Sequence, residues 1–225
     1  MPLISSIAAM PMTTTPEVDR VSVPRVMSPS HLRIASGHTV HLTASTLHHT
    51  TSLQVVSGLV RVACSNGDQE PLAVKAMTLG FLQAGDHLTL DLLRRSWLHL
   101  EAITPVQMAS CLDPLPLDGA SGLCDWTAAL LRIHHLGTSE DRLRALFQLL
   151  ADRLGRRCGD WVDLPLRLTH DRCAELIGHN RVTVTRHLSR WRQQGLLDPV
   201  GAGSGAMRLS PLLLQDGLPA APSGT

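Results

Sequence analysis

Along the chain the apolar residues show first no repeat, then short β-branched runs broken by turn signals, and finally a helical period near 3.6. Residues 1–30 carry Pro2, Pro11, Pro16, Pro24 and Pro29 without sustained periodicity, which predicts a loose leader. From His31 to about Leu112 the runs are punctuated by Ser65-Asn66-Gly67-Asp68 and Ala84-Gly85-Asp86. Strands are expected over Leu53–Ala63, Pro71–Met77, His87–Leu93 and Trp97–Met108, spaced as in a compact all-β roll or barrel. Pro114, Pro116, Gly119 and Gly122 then break the pattern as a hinge.

The helical period begins at Leu123. Leu123, Trp126, Leu130 and Ile133 fall at i, i+3, i+7 and i+10, an a/d seam. Two heptads fit either a dimer helix or an amphipathic helix packed on its own core. Next, Thr138 and Ser139 offer a cap, with Glu140 and Asp141 in the first turn. Leu143, Leu146, Phe147, Leu150 and Leu154 supply an apolar face, and Gly155 ends the helix. Trp161–Leu166 reads as a connector or short strand.

Thr169 caps a helix running through Ile177, with Cys173, Ala174 and Ile177 facing inward, and Gly178 sits where a tight helix-to-helix turn needs positive φ or close approach. Asn180 is placed to cap a second helix, whose Val184, Leu188 and Trp191 share one buried face. At about 100° per residue, Val182, Arg186, Ser189 and Gln193 point away from that core, with Thr185 and Arg190 on the flanks. Arg181 lies toward the core side by angle, but in the first turn its long side chain extends past the helix end.

Such a face suits a major groove: arginine pairs with guanine O6/N7, a valine methyl meets a thymine methyl, and Thr183 and Ser189 suit phosphates. Gly195 stops the helix, and Leu196-Leu197, Gly201-Ala202-Gly203-Ser204-Gly205 and Met207-Arg208-Leu209 read as a β-hairpin wing whose Arg208 can touch the DNA backbone. Thr169, Asn180, Arg181, Val182, Thr183, Thr185, Arg186, Ser189, Arg190 and Arg208 form the candidate DNA-binding set.

Charge supports that reading through its distribution. The net charge is only +1. Yet residues 138–225 hold twelve arginines, no lysine and nine acidic residues, whereas residues 1–137 hold eight basic and ten acidic. Arginine favours planar, bidentate recognition of phosphate and guanine. A chain that is 44% hydrophobic and 17% charged has the material for real cores, and 225 residues fit one to two domains. Cys64, Cys111, Cys124, Cys158 and Cys173 form no C-x-x-C pair, so reduced thiols are expected rather than a zinc or iron–sulfur site. No basic n-region with an apolar h-region opens the chain and no apolar run reaches about 18 residues, which predicts a cytoplasmic protein with no membrane span.

The segment LTHDRCAELIGHNRVTVTRHLSRWRQQGLL, Leu168–Leu197, resembles the C-terminal winged helix of the cyclic-AMP receptor protein/Fnr (Crp/Fnr) family of transcription regulators. Within that family, Arg181 to Arg186 resemble most closely the recognition helix of the cyanobacterial global nitrogen regulator. The resemblance implies that Arg181, Val182 and Arg186 read bases. Upstream, SLQVVSGLVRV (Ser52–Val62) and LEAITPVQM (Leu100–Met108) are similar to the family's strand–glycine–strand element and closing strands. The implied fold is α+β: a reduced cyclic-nucleotide-binding-like β-roll over 31–112, a hinge and dimerisation helix over 113–137, a winged helix-turn-helix over 138–210 and a flexible tail over 211–225. The resemblance selects the dimer-helix reading of Leu123, Trp126, Leu130 and Ile133, and implies double-stranded DNA, a second copy of the chain and RNA polymerase as partners.

The resemblance stops at the effector. Gly85-Asp86 leads directly into strand-like His87–Leu93, without the short helix and arginine that hold a cyclic phosphate in the family's nucleotide binders. Cyclic AMP is therefore not expected, no cofactor is assigned and the effector is unknown; Arg94 and Arg95 could form a substitute anion site, though such a pair beside a turn is ordinarily solvated. His38, His41, His48, His49, His134 and His135 lack the H-x-H and carboxylate spacing of a cupin-like metal enzyme, and no nucleophile–base arrangement or phosphate cradle is visible, so a non-enzyme is expected. The alternative is a ligand-binding or protein-interaction module with a vestigial winged helix.

Overall fold

In the computed structural model, the described residues are 32–43, 52–66, 76–89, 96–111, 121–198 and 207–215. The expected leader lies outside them, as does most of the strand expected over Pro71–Met77.

The N-terminal part is a β-roll of two four-stranded antiparallel sheets. β1 (Leu32–Ile34), β8 (Val106–Cys111), β3 (Ser52–Ser57) and β6 (His87–Thr89) form one; β2 (Thr39–Leu42), β7 (Ser96–Ala102), β4 (Leu59–Asn66) and β5 (Met77–Gln83) form the other. Side chains alternate across each sheet, and the inward set, including Val55, Val60, Val62, Leu82, Leu88, Leu100 and Met108, closes an apolar core.

The run expected as one strand over Leu53–Ala63 is two. Gly58 turns the chain between β3 and β4 at φ +91°, where an added Cβ would stand 2.2 Å from the Pro105 carbonyl oxygen. The run expected over Trp97–Met108 is likewise divided at residues 103–105. β5 itself, Met77–Gln83, was not anticipated: its Leu79-Gly80-Phe81-Leu82 does not alternate, because both faces are covered.

The outward face of the second sheet and its edge strand β5 carry the rest of the molecule. Helix α1 (Ser121–His134) packs along β5, and α2 (Ser139–Leu154) follows after a short connection. Thr138 caps α2, its Oγ1 accepting from the Asp141 amide at 3.1 Å, and Gly155 closes it. Trp126 meets Phe81 edge to face with ring centroids 5.4 Å apart, and a Cβ on Gly80 would lie 2.5 Å from Trp126 Cβ.

Leu123, Trp126, Leu130 and Ile133 are thus 4–6% exposed within a single chain. The seam assigned to a dimer contact is taken up by the chain's own core, because β5 and α2 present apolar surface to it. The outer face of α1 carries Cys124, Ala128 and Leu131 instead, at i, i+4 and i+7, with Leu131 60% exposed and exposed His135 just past the helix end.

A third sheet completes the fold: β9 (Arg156–Cys158), β10 (Trp161–Leu164), β12 (Met207–Leu209) and β11 (Leu197–Asp198), with α3 (His170–Leu176) and α4 (Arg181–Gln193) inserted between β10 and β11. The expected wing pairing is present as β11 against β12, Leu197 opposite Leu209; the glycine run between them lies outside the described residues. The tail expected to be flexible from 211 begins with a short helix, α5 (Pro211–Gln215), held by fully buried Leu213.

Candidate nucleic-acid interface

Two capped helices and one tight turn build the site. Thr169 Oγ1 accepts from the Arg172 amide at 3.1 Å and opens α3. Gly178 then turns the chain at φ +63°, and a side chain there would also meet the His134 ring, whose Nδ1 lies 2.9 Å from the added Cβ. His134, at the end of α1, donates from Nε2 to the Leu176 carbonyl at 2.9 Å, and Arg142 of α2 reaches the Ile177 carbonyl at 3.4 Å. Asn180 Oδ1 accepts from the Thr183 amide at 2.8 Å and α4 begins.

The two faces of α4 are sharply different. Val184, Leu188 and Trp191 have no exposed surface. The Trp191 ring meets Phe147 edge to face, carries Arg144 above it and donates from Nε1 to Glu140 at 3.4 Å. On the other side Val182 is 68% and the Arg181 side chain 67% exposed, and Arg186, Ser189 and Gln193 are open to solvent. Val182 is the one large apolar side chain on this otherwise polar open face of α4.

Arg181, Val182, Arg186 and Ser189 therefore share the open face. Other expected contact residues are engaged within the chain. Thr169 and Asn180 serve as caps, and Thr183, half-buried, supplies the amide that Asn180 holds. Thr185 Oγ1 donates to the Arg181 carbonyl at 2.9 Å and so accepts from His170 Nδ1 at 2.8 Å. Burial, followed by the Arg192 and Arg181 charges, lowers the His170 pKa and keeps that ring neutral at pH 7.

Two of the expected contact arginines are paired within the chain. Arg190 pairs with Glu140 of α2, and Arg208 donates from Nε to Asp163 at 2.8 Å across β10 and β12. A carboxylate from another element stands beside each, and both side chains remain partly exposed. Burial alone would raise the Glu140 carboxyl, but hydrogen bonds from Arg190 and Trp191 outweigh it and hold its pKa below the ordinary value.

His170 and Asp171 were not anticipated, and Glu140 was expected only as a first-turn acid of α2. Asp171 Oδ2 stands 3.8 Å from Arg181 Nε, both well exposed, at the start of α4. The available signal was their place directly after the two N-caps, Thr138 and Thr169, where a first-turn polar side chain can reach a neighbouring helix.

Comparison with known proteins fixes the family. Residues 32–115 match the cyanobacterial CRP family N-terminal domain and residues 141–209 the Crp-like helix-turn-helix domain. Regulatory protein CysR of Synechococcus elongatus is 32% identical over 148 residues, covering 63% of this chain and 69% of that protein. The chain belongs to the Crp/Fnr family. This Crp/Fnr regulator is also 27% identical over 145 residues to the global nitrogen regulator of a Nostoc species, covering 51% of this chain and 65% of that one. A CRP-family transcriptional regulator from Thermus thermophilus shares its fold at a TM-score of 0.60 and 19% identity, covering 84% of this chain and all of the other. The protein is a Crp/Fnr-type, DNA-binding transcription regulator with an α+β fold. No helix among the described residues is long and apolar enough to cross a membrane.

Proposed function

We propose that this regulator binds a palindromic duplex as a homodimer in the cytoplasm, with Arg181, Val182 and Arg186 reading base edges and Ser189 meeting the phosphate backbone. The observation that carries this reading is the open face of α4, where arginine and valine project from a helix whose other side is locked to the core. Thr169, Asn180, Thr183 and Thr185 support that helix, with backbone amides of the capped helix starts available to phosphates. RNA polymerase is a further partner consistent with the family, and no enzymatic step is assigned.

In this reading the dimer contact runs along Cys124, Ala128 and Leu131 on the outer face of α1 and His135 just beyond it, because the inner seam is occupied. Cyclic AMP is set aside as effector: the Gly85-Asp86 turn closes on itself, Asp86 accepting from the Gln83 amide at 2.8 Å, and runs straight into β6.

Selection of sites from random duplexes tests the reading. A palindrome with half-sites about 34 Å apart, or a multiple of that, is expected. Arg181→Ala and Arg186→Ala should each cost about 1–3 kcal/mol and relax preference at one base position. Wild-type affinity and preference in both variants at matched salt would refute the assignment.

A further inference from the structure

A charged cluster that the DNA-reading face does not use binds α3 to the roll. Arg61 of β4 is 4% exposed. Its Nε donates to Thr78 Oγ1 at 2.8 Å, its Nη1 to Glu101 of β7 at 2.9 Å, and its Nη2 reaches Glu175 of α3 at 3.5 Å. Glu175 Oε1 accepts from both the amide and the hydroxyl of Thr78, at 2.8 and 2.6 Å. Arg172, also of α3, binds Glu175 and, at 3.0 Å, Glu101. Two arginines and two carboxylates close on one another across the junction.

Burial and the Arg172 charge lower the Arg61 pKa, while Glu175 and Glu101 oppose them. Burial would raise the Glu175 carboxyl, but bonds from Thr78 and Arg172 and the Arg61 charge hold it below the ordinary value. Each guanidinium in the cluster meets both carboxylates, and each carboxylate meets both guanidinium groups.

A buried guanidinium displaced from its carboxylates is left unpaired, which penalises any other placement of the two elements. Such a cluster closes in one relative placement of its two elements. The covalent route between roll and helix-turn-helix, by contrast, passes through His135 to Thr138, where exposed Gly137 has open space around it. The apolar core and the bonds from His134 and Arg142 to α3 also join the two parts, and the charged cluster adds a directional tie on the β4–β5 side.

We propose that the Arg61–Glu101–Arg172–Glu175–Thr78 cluster is an interdomain latch that sets the angle of the helix-turn-helix on the roll, and through it the half-site spacing this regulator accepts. Glu175, Thr78 and Arg61 are positioning residues. They touch no base, yet with a dimer axis on the roll side they fix the separation of two recognition helices. This inference rests on the dimeric, palindrome-binding reading above.

The test uses the full chain and two measurements. Duplexes carrying the selected half-sites at the preferred spacing, and at one and two base pairs more or less, are titrated with wild type, Glu175→Gln and Thr78→Val. Both variants should lose at least tenfold of the discrimination between spacings and keep the half-site base preference, whereas Arg186→Ala should do the reverse. Thr78→Val keeps every charge and serves where Glu175→Gln does not fold. Independently of DNA, nitroxide labels on Val56→Cys and Gln193→Cys, with every other cysteine but buried Cys173 replaced by serine, should give a narrow distance distribution that broadens in either variant. Folded variants with wild-type spacing discrimination and label distances would overturn the latch. A wild type that selects no duplex would refute the DNA reading alone, and the label distances would then decide the latch.

Discussion

Helices α1 and α4 are near-equals in length, 14 and 13 residues, and each drives a tryptophan into the core from an apolar stripe. Their surroundings differ. Trp126 on α1 meets Phe81, with the Gly80 backbone against it and the Arg153 guanidinium 4.6 Å from its centroid. Trp191 on α4 lies in a mixed setting, with Phe147 on one side and Glu140, Arg144 and His187 around its polar edge. The outer face of α1 is small and partly apolar, while that of α4 is led by arginine. A stripe of apolar residues therefore fixes which side of a helix is buried and says nothing of what buries it; the chemistry of the opposite side carries the functional message.

The largest effects are expected on the inner stripe of α1. Trp126→Ala should cost about 3–5 kcal/mol of stability, since the fit against Gly80 leaves a cavity that the backbone cannot easily fill. Leu130→Asp, which places a carboxylate where exposure is 5%, should match or exceed that loss. Denaturant titration of the full chain checks both. A Leu130→Asp chain that dissociates into stable folded monomers would return this stripe to the dimer interface and break the comparison.

An intermediate loss is expected at the mouth of α4. Asn180→Ala removes the acceptor of the Thr183 amide and should cost about 1 kcal/mol, within the 0.5–2 kcal/mol range of such caps. Because the open face starts at residues 181 and 182, specific DNA affinity should fall along with thermal stability. Loss of stability with unchanged affinity at the selected site would show that the cap does not set the reading geometry.

How far the chain was legible follows the same division. Caps and glycines are local chemistry, so Thr138, Thr169, Asn180, Gly155, Gly178 and Gly195 could be read one at a time, and the structure uses each as a cap or a turn. The open face of α4 followed from angle alone. Partnership is not local. Arg190 and Arg208 read as free arginines because Glu140 and Asp163 lie 50 and 45 residues away in sequence. β5 escaped because a strand covered on both faces has no alternation. Arg61 was the missed signal: a lone charge inside Leu59-Val60-Arg61-Val62-Ala63 demands buried partners, and they came from β7 and α3.

Acid should separate the two helices further, by a smaller amount. α1 is held mainly by apolar contact, whereas α4 is tied by His170 to Thr185 and by His187 to Ser139 at 2.9 Å. Burial is the first cause lowering both pKa values, so each ring is neutral when folded and takes up a proton more readily when unfolded. Stability from such groups is complete above the unfolded value near 6.5 and is lost as pH falls through it toward the folded value. His99 of the roll, lowered to about 4 by burial, then by His41 and Arg61, adds a loss across the same range. In a His99→Gln background, amide exchange corrected for intrinsic rates should show α4 losing protection relative to α1 between pH 7 and pH 5. Equal losses would mean that the polar ties of α4 contribute nothing.

The smallest effect on the fold, and the sharpest use of the comparison, lies one residue from the largest. Leu131 is 60% exposed while Leu130 beside it is 5% exposed. In an isolated chain Leu131→Asp removes little buried area, and the change in stability should stay within about 0.5 kcal/mol, as for surface substitutions generally. In a dimer joined along Cys124, Ala128, Leu131 and His135, the same change sets two carboxylates opposite each other across the axis in place of two leucines. Sedimentation should then show a dimeric wild type and a folded, monomeric Leu131→Asp at micromolar concentration. Binding to the full palindrome should fall to the level of a single half-site, with base preference intact because α4 is untouched. A Leu131→Asp protein that stays dimeric would move the axis off α1 and leave the exposed leucine without a role in assembly.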